Sequence, residues 1–173
     1  MYSIWELHYV RSPQIVIKMA IDEKKKKLSH ILAGYLEQDV IVAFSGGVDS
    51  SLLVKVAKET ADLKQHLVHA VTFQTALHSG KEIGLAKRLA EEFGVKHHLL
   101  HVDDLAKVEI RENPKNRCYL CKKYLFGLLL EMAKTMGITT IMDGTNADDR
   151  KVYRPGLQAL QELGIVSPLA EAG

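Results

Sequence analysis

The apolar run Asp39-Val40-Ile41-Val42-Ala43-Phe44 leads directly into Ser45-Gly46-Gly47-Val48-Asp49-Ser50, and a helical pattern follows over residues 50–60. A strand that delivers two glycines, flanked by hydroxyls, into a helix start forms a cradle for phosphate. Glycine lets the backbone turn sharply and brings its N–H groups close to an anion. The unpaired amides and positive dipole end of the following helix face the same point. The pattern is not the common phosphate loop G-x-x-x-x-G-K-[ST], because no lysine follows the second glycine. Asp49 stands there instead, as a candidate metal ligand or an acid beside a pyrophosphate. The competing reading is a glycine turn that only joins strand to helix.

From Asp39 onward, strand-like and helix-like stretches alternate. Strands are expected at residues 39–44, 66–73, 95–102 and 138–142, with a short last one at Ile165–Val166. Helices are expected at residues 22–37 and 50–60, from a Ser79 cap to Gly94, at 117–136 and at 157–163. Connections of this length imply parallel βαβ units with right-handed crossovers rather than hairpins. The expected fold class is therefore α/β, an open parallel sheet of about five strands with helices on both faces. Ligands of such sheets sit at the carboxyl ends of the strands. That rule gathers Ser45–Ser50, Phe73–Thr75, Val102–Asp104 and Asp143–Asp149 on one edge.

The chain has 173 residues, enough for one domain with a real core. Its formal net charge of +2 provides no field that argues for nucleic acid. The run Lys24–Lys27 follows Asp22 and Glu23 and reads as a solvated helix face. Two cysteines in one Cys-x-x-Cys do not make a secreted disulfide framework. There is no stretch long enough for a membrane span and no signal peptide, so a cytoplasmic location is expected. Residues 1–18 lack periodicity and are expected to be an extension, tag or subunit-packing arm, with the domain proper at 19–173.

Four further segments bear on chemistry. In Asp143-Gly144-Thr145-Asn146-Ala147-Asp148-Asp149, Gly144 permits close backbone approach and Thr145 and Asn146 can donate hydrogen bonds. Asp148 or Asp149 can hold a hard divalent cation, and Mg²⁺ shared with Asp49 would neutralise a departing pyrophosphate. An acidic turn with an Asx cap is the plain alternative. Thr72 and Phe73 close the second strand. Cys118 and Cys121 lie three apart at a helix start among cations, which favours thiolate and so soft-metal or nucleophilic chemistry. They also extend the stripe Leu125, Leu128, Leu129, Met132 and Met136, so burial competes with that reading. Two thiolates do not complete a zinc or iron–sulfur site. Arg154, before a proline-capped helix, can bind a phosphate or carboxylate, or form a surface ion pair. His97, His98 and His101 show no metal spacing and read as structural.

The hexapeptide Ser45–Ser50 resembles the signature of the PP-loop ATP pyrophosphatase superfamily, with its adenine nucleotide alpha hydrolase-like fold. Taken with NPKNRCYLCK, IMDGTNADD, YRPGLQAL and GIVSPLAEAG, the chain is similar to the LarE-type ATP-dependent sulfur transferases from about Ile21 to Gly173. The resemblance implies ATP against Ala43, Phe44, Ser45, Gly46, Gly47, Asp49, Ser50, Thr72, Phe73, Gly144 and Thr145, with Mg²⁺ on Asp49 and Asp149. It implies adenylation of a carboxylate on a pyridinium mononucleotide, with Asp49 and Arg154 as catalytic or substrate-binding residues. Sulfur transfer follows, in nickel-pincer cofactor assembly. Cys118 and Cys121 match the members that carry a [4Fe-4S] cluster on three cysteines. Such members continue past Ser167–Gly173, where the remaining cysteine lies, so the chain is expected to be truncated, half of a split system, or a shortened protein that has lost sulfur transfer, with exposed apolar surface that favours self-association. Ammonia-using or tRNA-thiolating chemistry, or a nucleotide-binding module without turnover, are the alternatives.

Overall fold

The computed structural model describes residues 13–75, 80–102, 114–149 and 154–173, with the side chains of residues 13–17 excluded. Helix α1 (Pro13–Tyr35) precedes β1 (Val40–Ala43), α2 (Val48–Lys64), β2 (Val68–Gln74), α3 (Gly80–Phe93) and β3 (Lys96–His101). Then come α4 (Arg117–Met136), β4 (Thr140–Met142), α5 (Pro155–Glu162) and α6 (Pro168–Ala172). The expected Ser79 cap, the edge residues Asp103 and Asp104, and Tyr153 lie outside the described residues.

The four strands form one parallel sheet in the order β3-β2-β1-β4. The fifth expected strand is reduced to a single parallel bridge, Met142 to Val166. Val166 N–H donates to Ile141 O and Asp143 N–H to Val166 O, so this bridge also fixes the start of the loop after β4. The sheet is doubly covered, and β1 shows why it must be central. Val40, Val42 and Phe44 enter one core with α1, α2 and α3, whereas Ile41 enters a second core with α4 and α5. Alternate residues of a strand face opposite sides, and here both sides are apolar.

Element ends follow local chemistry. Helix α4 has the expected bounds, closed by Gly137 at φ +68° with its N–H directed to Ala133 O and Lys134 O. Helix α5 starts at Pro155, two residues before the expected Leu157, because proline is favoured at the first helical position. Helix α1 begins at Pro13 rather than near Asp22; it buries Leu28 and Leu32, and Leu36 just past its end is buried beside them. The histidines pair within the sheet: His97 with Thr72 Oγ1 at 2.8 Å, and His69 with His98 at 3.0 Å. Among the described residues, no helix is long and apolar enough to cross a membrane.

Candidate active site

At the carboxyl edge of β1 the chain turns through Gly46, at φ +76°, and enters α2 with Gly47 as N-cap. No side chain caps this helix, so its first amides are left to an outside acceptor. The loop is braced by its own serines. Gly47 N–H donates to Ser45 Oγ (3.2 Å), Ser45 N–H to Ser50 Oγ (3.3 Å), and Ser50 Oγ donates to Gly47 O (3.1 Å). Ser50 is buried, while Ser45, Gly47, Val48 and Asp49 are exposed.

The loop after β4 packs against this turn. A Cβ on Gly144 would lie 3.0 Å from Ser50 N and 3.1 Å from Ser50 Cα, so the close approach expected at Gly144 is to the backbone of α2. Asn146 Nδ2 donates to Asp49 Oδ2 at 3.4 Å, and Asn146 N–H to Asp149 Oδ2 at 3.2 Å. One asparagine therefore links the two acids named as Mg²⁺ ligands. Asp149 Oδ1 also pairs with Arg154 at 2.7 Å, the ion-pair alternative for that arginine.

Between these loops and the N-termini of α4 and α5 lies a cleft of about 730 Å³. It is lined by Ala43, Phe44, Ser45, Gly47, Asp49, Ser50, Thr72, Phe73, Gly144, Thr145, Asp149, Arg154 and Cys118. Of the residues singled out from sequence as ligands, Gly46, Asn146, Asp148 and Cys121 are not in its lining. Gly46 packs instead on α3, where a Cβ would meet Ala86 Cα at 3.1 Å. Neither cysteine is buried: Cys118 is exposed and Cys121 half-buried, so the pair does not continue the buried part of the α4 stripe. Among the described residues, no three His, Cys, Asp or Glu side chains converge as a metal-ligand set.

Several lining residues had no distinct signal in the sequence. Asp143 is buried and accepts from Thr145 Oγ1 (2.5 Å) and Ser167 Oγ (2.6 Å). Lys122 faces its carboxylate at 3.6 Å, and Phe126, Glu82 and Ile83 complete the wall. Tyr119, Lys123 and Glu162 clip α4 to α5: Tyr119 Oη and Lys123 Nζ donate to Glu162 Oε2 at 2.6 and 2.9 Å. These two donors hold the Glu162 carboxyl at about 2. The i, i+3 step from Tyr119 to Lys122 and the proximity of Asp143 to a strand end were visible in the sequence, but nothing there joined them.

The profile of the asparagine synthase family matches residues 25–150. The chain belongs to that family. It is a PP-loop ATP pyrophosphatase domain, as Ser45–Ser50 led one to expect, and members of the family are adenylating enzymes. This PP-loop chain is 38% identical over 148 residues to protein slr1717 of Synechocystis sp., covering 85% of this chain and 54% of that protein. It is 37% identical over 135 residues to the pyridinium-3,5-bisthiocarboxylic acid mononucleotide synthase of Lactiplantibacillus plantarum, covering 78% and 48% respectively. The chain thus spans about half the length of the curated relatives it matches. Among solved structures, the U34-tRNA thiolase NcsA of Methanococcus maripaludis, with its [4Fe-4S] cluster, superposes with a TM-score of 0.66 at 22% identity, over 88% of this chain and 60% of that one. The NH3-dependent NAD synthetase of Campylobacter jejuni gives 0.61 at 16% identity, over 75% and 58%. These two likenesses show the shared fold.

Proposed function

We propose that this PP-loop domain adenylates a carboxylate of a pyridinium mononucleotide with ATP and serves sulfur transfer to the activated carbon. The acceptor carboxylate oxygen attacks the α-phosphorus, the α–β phosphoanhydride bond breaks, and pyrophosphate leaves. A sulfur nucleophile at the oxidation level of sulfide then attacks the acyl carbon and expels AMP, leaving a thiocarboxylate. The observation that carries this reading is the convergence of the Ser45–Ser50 turn and the Asp143–Asp149 loop on one cleft. The 37% identity to a pyridinium-3,5-bisthiocarboxylic acid mononucleotide synthase supports the choice of acceptor, and a place in nickel-pincer cofactor assembly is part of the same proposal.

Within the proposal, the uncapped amides of α2, including that of Ser50, and the Ser45 hydroxyl bind the phosphates, while the buried Ser50 hydroxyl braces the turn. Thr72 and Phe73, with Ala43 and Phe44, flank the adenosine. These groups act by positioning and by stabilising charge as it develops. Asp49 and Asp149 suit Mg²⁺, since they offer hard oxygen donors from both loops, tied through Asn146. When bound, the ion would lower the charge on pyrophosphate. Arg154 takes the acceptor's anionic group once it leaves Asp149. A three-thiolate [4Fe-4S] site does not fit these 173 residues, which contain two cysteines. That Cys118 lines the cleft supports a part for its thiol in the sulfur step.

Pyrophosphate release from ATP, followed with and without nicotinate-type carboxylated mononucleotides, tests the reading. Acceptor-dependent AMP and pyrophosphate are expected, and Asp49→Asn should lower the rate by roughly 10²-fold or more. ATP binding without AMP formation on any such acceptor would instead identify a nucleotide-binding module.

A further inference from the structure

The turn at Ser45–Ser50 lacks the lysine that the common phosphate loop carries directly after its glycine. We infer that Lys122, from the first turns of α4, supplies that missing cation to the polyphosphate of ATP. This inference rests on the ATP site proposed above.

Four observations point to Lys122. It lines the same cleft as the phosphate turn, although 72 or more residues separate them in the chain. Its ammonium faces Asp143 Oδ2 at 3.6 Å, and Asp143 opens the loop whose Gly144 abuts the Ser50 backbone. The Asp143 carboxylate is itself held by the Thr145 and Ser167 hydroxyls, so the lysine has a fixed anchor. The aliphatic stem is guided as well: it passes Gly156, where a Cβ would come within 2.9 Å of Lys122 Cδ, and the ammonium lies 6.0 Å from the Phe126 ring centre. The side chain is a little over one-third exposed and belongs to the cleft lining, so it is open to a ligand there. An ion pair at 3.6 Å is longer than a charge-assisted hydrogen bond, which leaves the ammonium's protons available for a phosphate oxygen.

Lys123, next in the chain, is excluded from this role because it is committed to Glu162 and Tyr119. Arg154 is paired with Asp149. The glycine at position 156 then has a specific reason: α5 begins close to α4, and a Cβ there would displace the lysine stem from its present path.

The test is calorimetric binding of ATP, AMP and inorganic pyrophosphate to the full chain and to Lys122→Met, Lys122→Arg and Gly156→Ala. A phosphate-binding lysine is worth roughly 10- to 100-fold in affinity. Lys122→Met should therefore lose about that factor for ATP and pyrophosphate and little for AMP, with Lys122→Arg recovering part of the loss. Gly156→Ala, which keeps the charge but crowds its stem, should weaken ATP in the same direction, and the double variant should lose less than the sum. Equal ATP affinity in wild type and Lys122→Met overturns the inference while leaving the ATP site standing. Equal weakening of ATP and AMP, without recovery by arginine, means a structural role and overturns it too. Failure of the wild-type chain to bind ATP at all refutes the proposed function itself.

Discussion

A single methyl group added at Gly144 should report directly on how tightly the two loops of the cleft are packed. An alanine Cβ there would meet backbone atoms: Ser50 N at 3.0 Å, Ser50 Cα at 3.1 Å and the Asp49 carbonyl carbon at 3.4 Å. Optimal carbon contacts lie near ~3.5–4.0 Å, so the shortfall is about half an ångström against atoms that have no rotamer to change. Either the first turn of α2 or the loop after β4 must move, and overpacking of this kind costs about 1–3 kcal/mol. Gly127 is the control. It lies inside α4 with nothing within 4 Å of its would-be Cβ, so Gly127→Ala removes a helix penalty of about 0.5–1 kcal/mol. The same chemical change is thus expected to act with opposite signs. For a chain of this size, 1 kcal/mol shifts Tm by roughly 2–4 °C. Gly144→Ala should therefore fall by roughly 2–12 °C and Gly127→Ala rise by roughly 1–4 °C. Urea unfolding followed by circular dichroism gives the free energies, and ATP affinity should drop only in Gly144→Ala. If both variants shift in the same direction, or Gly144→Ala stays within about 0.5 kcal/mol of wild type, the loop-to-helix packing argued here is wrong.

Two further outcomes follow from the same structure. Burial, reinforced by neighbouring His98, lowers the pKa of His69 and His97 from the ordinary 6.5. The unfolded chain then binds more protons than the folded one below that value, so stability is full above pH 6.5 and falls as the pH drops through the folded-state values. The urea midpoint should be lower at pH 5.5 than at 7.5, and His69→Gln should flatten that dependence; an unchanged slope would mean that other groups carry it. Cys118 is exposed in the cleft, whereas Cys121 is half-buried and outside its lining. Alkylation followed by mass spectrometry should modify Cys118 first, and ATP should slow that reaction. Protection of Cys121 alone would place the nucleotide elsewhere.

Much of the scaffold was legible because its signals are local. The apolar run before Ser45, the Gly137 stop and the 20-residue pattern of α4 each depend on neighbours within a turn or a pleat. Ends were less legible: α5 starts at Pro155 because proline suits the first helical position, and the last strand shrinks to Val166 because only that residue bridges β4. The cleft lining was legible where a strand end announces it, as at Thr72, Phe73 and Gly144. Less legible was the second reason for a glycine at position 46, where a Cβ would crowd Ala86 of α3.

From its amino-acid order alone this chain is committed to alternating strands and helices and to an uncapped helix start behind two glycines, because backbone preference and hydrophobic period act over a few residues. The tertiary structure alone decides that Asn146 reaches Asp49 across 97 residues, that Lys122 rests on Asp143, and that Gly156 clears the lysine's stem. Those distances arise when two apolar faces close on one sheet and bring α4, α5 and the loop after β4 to its carboxyl edge. No stretch of chain encodes them until both cores are packed.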